Sequence, residues 1–314
     1  MDIIASAATP VPDVLALRRD IYAKGAVTRE DLSRLLEMAR TAGGTLTQDF
    51  DDFVAEVATD LLVHQAEPTR YVSVADADWL IKALERSSPP ASTRRRLLLE
   101  VLSHAVSVPS RLAASAVETV ECAIIEGPKV VTAADVEALR AAVFAATDAS
   151  ALHVTRESAD ALFRIDHATR GAENDPTFAD FFARAVGDHL LGIAFRWIPS
   201  AADEVRKEQW LEAEPPGIGG FIGRMFGAGD HSLGSADFAS PIEAEEALVR
   251  QENEADARER ANAQVIDQAE AGWLLAKLGS EAPTLAERAL LSFLGREATA
   301  MPQDLRALID RQAA

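Results

Sequence analysis

The chain has 314 residues, 48% of them hydrophobic and 26% charged, which is enough apolar material for one large or two ordinary cores and too much for a disordered polypeptide. Its 50 acidic against 31 basic residues give a formal net charge of −19, which opposes a general affinity for nucleic acid or for anionic lipid. A single cysteine, Cys122, excludes an internal disulfide, no Cys/His set has zinc spacing, and no segment runs about 18 apolar residues without a charge, so neither a stapled secreted fold nor a membrane span is expected.

The first residues, 1–12, read as a tail, and they carry an acid at Asp2 and no basic region ahead of an apolar stretch, so no targeting segment is expected and the location read from the sequence is cytoplasmic. From there apolar residues recur at three- and four-residue steps: Leu32, Leu35, Leu36 and Ala39, then Phe50, Phe53, Val54, Val57 and Leu61, then Leu162, Phe163 and Ile165. Alternating runs of β-branched residues are missing, so the fold class is all-α. Thr28, Ser73, Thr132 and Thr155 each precede such a segment, where a hydroxyl accepts from free first-turn amides. Asp31, Asp76 and Asp135 follow three residues after the first three of these, as in a capping box with Asp in place of Glu.

Comparison of the chain with itself finds two ordered sets of matches. Asp13, Leu17, Arg18, Ile21 and Tyr22 face Asp135, Leu139, Arg140, Val143 and Phe144, each 122 residues on. Val27, Thr28 and Arg29 face Val154, Thr155 and Arg156 at 127, and Phe50, Asp52, Phe53 and Asp60 face Phe178, Asp180, Phe181 and Asp188 at 128. Ala77, Trp79 and Leu80 then face Ala271, Trp273 and Leu274 at 194, and Leu97, Leu98, Ala105 and Pro109 face Leu290, Leu291, Ala298 and Pro302 at 193. The preserved order predicts two related helical repeats, 13–128 and 135–314, with an insertion at about 200–265 in the second. Residues 203–264 hold 14 acids and 6 bases. The stretch 215–238 reads as a glycine-rich irregular loop, and Ser240-Pro241 followed by Glu243 predicts an acidic helix over 241–278.

No catalytic set emerges. Six histidines show no pair at helical ligand spacing, there is no G-x-S-x-G, and Cys122 falls in an apolar helical run where a core role is expected. Asp166-His167 and Asp188-His189 would offer metal or acid/base chemistry if their helices brought them together, and Asp180 would join such a group. Trp79 and Trp273, at matching places, read as packing residues, and Arg94-Arg95-Arg96 as a solvated turn. In the glycine-rich loop Phe221, Ile222, Met225 and Phe226 are large apolar residues in a setting too rich in glycine for a core helix, and they are the candidate contacts for a protein partner. Asp230 and Asp237 beside them argue against a membrane.

The joints Ala23-Lys24-Gly25-Ala26-Val27-Thr28-Arg29-Glu30-Asp31 and Glu126-Gly127-Pro128-Lys129-Val130-Val131-Thr132-Ala133-Ala134-Asp135 resemble the acid-Gly-x-[Val/Ile]-[Ser/Thr]-x-x-[Glu/Asp] joint of TerB-like helical domains, and more loosely that of EF-hand units. The acid before glycine is Lys24 in one joint, and the loop from Ala145 to Val154 holds a single acid, Asp148, so no calcium loop with alternating carboxylates is present. The resemblance implies an all-helical bundle with acidic loops, of a kind in which some members bind divalent cations and many act in regulation or stress response without catalysis. No organic cofactor is expected, and the candidate ligands for a divalent cation are Glu126 and Asp135 at the joint, with Asp180 and Asp188 added from the residues themselves. The leading expectation is a non-enzymatic scaffold that engages a protein partner through the insertion; the alternatives are a divalent-cation sensor and an enzyme with its site between the repeats.

Overall fold

The computed structural model describes residues 13–42, 46–145, 154–191, 264–279 and 281–313. Among the described residues there are twelve α-helices and no sheet, which makes the fold all-α. In chain order these are α1 (Val14–Tyr22), α2 (Arg29–Ala42), α3 (Gln48–Thr59), α4 (Val74–Ser87), α5 (Ala91–His104), α6 (Ser110–Ile125), α7 (Ala133–Val143), α8 (Arg156–Ala168), α9 (Thr177–Leu191), α10 (Gln268–Leu278), α11 (Leu285–Glu297) and α12 (Gln303–Ala313). Among the described residues no helix is long and apolar enough to cross a membrane.

The caps lie where the sequence puts them. Thr28, Ser73, Thr132 and Thr155 each accept from the amide three residues on. Asp31 and Asp135 also reach back to the Thr28 and Thr132 amides, at 3.2 and 3.0 Å, whereas Asp76 takes the Ser73 hydroxyl instead. The helix expected over 241–278 is corrected. Residues 264–267 are not helical, and α10 starts afresh with Asp267 as its N-cap and Glu270 closing a capping box, because an acid at the cap satisfies the free amides better than continuation does. The part of that expectation before residue 264, and the glycine-rich loop, lie outside the described residues.

One continuous apolar core runs through all twelve helices. The closest partners are α3 with α5 and α9 with α11; α5 and α6 pack on α7, and α6 also packs on α8. Gly187 of α9 sits so close to α11 that an added Cβ would fall 2.3 Å from the Phe293 ring.

Several contacts recur at positions that the sequence offsets pair. Tyr71 and Ser107 form an isolated parallel bridge, and so do Val265 and Ala300. In each the following amide donates to the far carbonyl at 3.0 Å, Val72 to Ser107 and Ile266 to Ala300. Arg29 lies over the Trp79 ring at 5.1 Å and Arg156 over Trp273 at 4.3 Å. Arg18 lies over Phe53 at 5.1 Å and Arg140 over Phe181 at 5.5 Å. The two tryptophans are thus half-buried at the edge of the core, each roofed by an arginine.

Two other expectations change. Cys122 is exposed, because the buried stripe of α6 runs through Ala113, Ala116, Val117, Val120 and Ile124 and leaves position 122 off that face. The arginine run is no solvated turn: Arg95 pairs with Asp135 at 2.7 Å, Arg96 with Asp52 at 2.6 Å and with Glu100 at 3.0 Å, so the second turn of α5 is tied to α3 and α7.

Candidate functional site

The last turn of α8 meets the first turn of α11. The buried stripe of α8 passes through Ala159, Leu162 and Phe163, and the next position on that face is Asp166, so helical periodicity carries a carboxylate into the core. The stripe of α11, Leu290, Leu291 and Leu294, extended back by one turn, reaches Glu287. Asp166 is 3% exposed and Glu287 fully buried, and with His167 they place one donor atom each within 4.8 Å of one another. This is the one group of three such donors among the described residues.

Local chemistry fixes each side chain. Thr284 caps α11: its hydroxyl accepts from the Glu287 amide at 3.1 Å and donates to Asp166 Oδ2 at 2.8 Å, while its amide donates to Glu287 Oε2 at 2.7 Å. The other Glu287 oxygen, Oε1, lies 3.3 Å from His167 Nε2 and 3.7 Å from an Arg170 nitrogen. Arg170 is held outward by the Ala282 carbonyl at 3.2 Å and by Glu281 at 2.8 Å. Burial pushes the Asp166 carboxyl up to about 6, and the neighbouring Glu287 charge adds to that; the Thr284 hydroxyl, His167 and Arg170 oppose it. Two carboxylates and an imidazole, two of the three buried, make a donor set for a first-row divalent cation with coordination positions left over.

At the positions that the sequence offsets pair with these three stand Ala39, Arg40 and Arg94, none a ligand, and Ala39 is fully buried. The frame therefore does not need acids at these places. The signal was present in the sequence as an acid falling in step with Leu162 and Phe163, and another in step with Leu290 and Leu291.

The four carboxylates expected as ligands are not brought together into a group of three among the described residues. Asp135 is held by Thr132 in the α7 capping box and by Arg95, and these bonds outweigh its burial and keep its pKa low. Asp180 is exposed and pairs with Arg184 of its own helix at 3.0 Å. Glu126 caps the end of α6, exposed. Asp188 is half-buried, and burial pushes it up to about 6 against the pull of Arg184. His189 bonds the Val154 carbonyl at 3.0 Å and meets Trp273 edge-on, with burial lowering its pKa, so it packs and does not join Asp166. Phe221, Ile222, Met225 and Phe226 lie outside the described residues.

Comparison with protein-family models, with curated proteins and with solved structures finds no match.

Proposed function

We propose that the chain is a helical unit copied once, and that its second copy binds a divalent cation of the zinc class through Asp166, His167 and Glu287, in a regulatory and non-catalytic role. The observation that carries this reading is the convergence of those three donors, two of them buried, at a place where the first copy has Ala39, Arg40 and Arg94. Burying two neighbouring carboxylates is costly unless positive charge compensates them, and Arg170, held 3.7 Å away and shared with Glu281, does so in part. A cation between the donors completes the compensation. The imidazole favours zinc over calcium, magnesium and manganese, whose preferred ligands are oxygens. The matched bridges, the arginine-roofed tryptophans and the shared capping pattern support the duplication, and the cation reading accords with the resemblance to TerB-like domains.

Calorimetric titration of the chelator-stripped full chain with zinc, manganese and calcium tests it. Zinc should give a saturable heat and raise the melting temperature, since at a free concentration of about 100 times Kd a ligand stabilises by about 2.7 kcal/mol. Asp166→Ala installs the residue that the first copy carries, and Glu287→Gln keeps the capping acceptor without the charge; each should weaken zinc binding at least about tenfold, as expected for loss of a ligand. An absent heat, or a heat unchanged in both variants, contradicts the reading.

A second reading, a protein partner engaged through Phe221, Ile222, Met225 and Phe226, rests on the sequence pattern of the insertion. Deleting 215–238 should then abolish co-purification with the partner while leaving the melting transition nearly intact.

A further inference from the structure

Between α6 and α8, where the first six helices meet the last six, lies a half-open groove of about 410 Å³. Ala114, Val117 and Ala161 give it a low apolar floor, and Glu118, Glu121, Glu157 and Arg164 its charged edges. Arg164 is already used: its guanidinium is bound by both oxygens of Glu121, at 2.5 and 2.8 Å, which joins the two helices across the groove. Glu118 and Glu157 stand exposed on the two helices and make no ion pair among the described residues. Among the described residues the groove therefore carries two carboxylates that no ion pair takes up, with Arg164 as a more distant positive neighbour of Glu118.

We propose that this groove receives a lysine or arginine side chain presented by a basic segment of a partner protein. The alkyl stem of such a residue lies along Ala114, Val117 and Ala161, and its cationic head reaches Glu118 and Glu157. An acidic or wholly apolar segment would leave the two carboxylates desolvated and unpaired, so charge complementarity selects the basic one. Small residues on the floor keep the groove deep enough for the stem. The site lies apart from the Asp166 cluster, shares no residue with it and holds or fails independently of the cation.

Cys122 lines the same groove and is the single cysteine of the chain, so its thiol reports occupancy. Partial burial and the charges of Glu126, Glu118 and Glu121 raise its pKa, so alkylation by neutral iodoacetamide is followed in alkaline buffer, where the thiolate forms. N-acetyl-octalysine amide, at about 0.15 M salt to screen the bulk charge, should slow alkylation of the full chain at least about fivefold at saturation, and N-acetyl-octaserine amide should not. Glu118→Gln with Glu157→Gln should remove the protection, whereas Asp304→Asn with Asp310→Asn, which changes net charge equally on α12, should retain it. Absence of protection, protection that survives Glu118→Gln with Glu157→Gln, or equal loss in both double variants overturns the proposal; spermine protecting where the peptide does not overturns it as well.

Discussion

In α1 the Tyr22 hydroxyl donates to Asp60, beyond the end of α3; the residue paired with Tyr22 by the sequence offsets is Phe144, the C-cap of α7, which has no hydroxyl to offer Asp188 of α9, the residue paired with Asp60. Asp188 is accordingly pushed up to about 6 by burial. In the same way α3 carries Thr59 where α9 carries Gly187, and α5 carries Glu100 where α11 carries Phe293. Ala39 and Arg94 give way to Asp166 and Glu287. Isolated bridges and arginine–aromatic contacts recur at offset-paired positions, while the polar and steric details at other paired places differ. That is the pattern expected when packing conserves a scaffold and individual sites are free to acquire new chemistry.

The largest test of this comparison is steric. Gly187→Thr puts the residue of the offset-paired position, Thr59, against Phe293 and should cost about 1–3 kcal/mol of unfolding free energy in urea, as overpacking does. Shortening Phe293 to Ala in the same chain should recover part of that loss. Strict additivity of the two substitutions would show that the close approach of α9 and α11 does not set the size at position 187.

A smaller effect is electrostatic. Between an unfolded value near about 3.9 and a folded value of about 6, Asp188 binds more protons folded than unfolded, so its contribution to stability falls as pH rises across that window. Asp188→Asn should remove this fall, worth about 1–2 kcal/mol for a half-buried group, as seen in melts from about pH 4 to 7. Phe144→Tyr should restore the missing donor, lower the Asp188 pKa and add about 1 kcal/mol near pH 7. An unchanged pH slope in both variants would break the comparison at this site.

The smallest effect concerns the roofed tryptophans. Arg29→Ala and Arg156→Ala should each cost about 0.5–1 kcal/mol, the range for partly exposed cation–π contacts. A loss in one with none in the other would show that the two contacts are alike in geometry alone.

Much of this arrangement was legible in the residues. Helical steps gave the class, and Thr28, Ser73, Thr132 and Thr155 marked helix starts because capping is a local matter of one side chain and nearby amides. Offsets paired Trp79 with Trp273 and Arg29 with Arg156 before any contact was known. Asp166 and Glu287 were missed as a group because they are 121 residues apart in sequence and meet only where the last turn of α8 reaches the first turn of α11. Cys122 was misplaced because an apolar run does not say which of its residues leaves the buried face, and the α10 start because propensity summed over a polar stretch does not show where a cap such as Asp267 begins a helix. The candidate ligands Asp135 and Asp180 were plausible by type; a cap, Arg95 and Arg184 had already claimed them.

The central claim, a cation held by the second copy and not the first, is tested most directly by anomalous diffraction at the zinc edge from crystals of the full chain grown with zinc. The account predicts a peak bounded by Asp166, His167 and Glu287 and none near Ala39, Arg40 and Arg94. Density confined to surface acids, with those three side chains still bonded to Thr284 and one another and no metal between them, would contradict it.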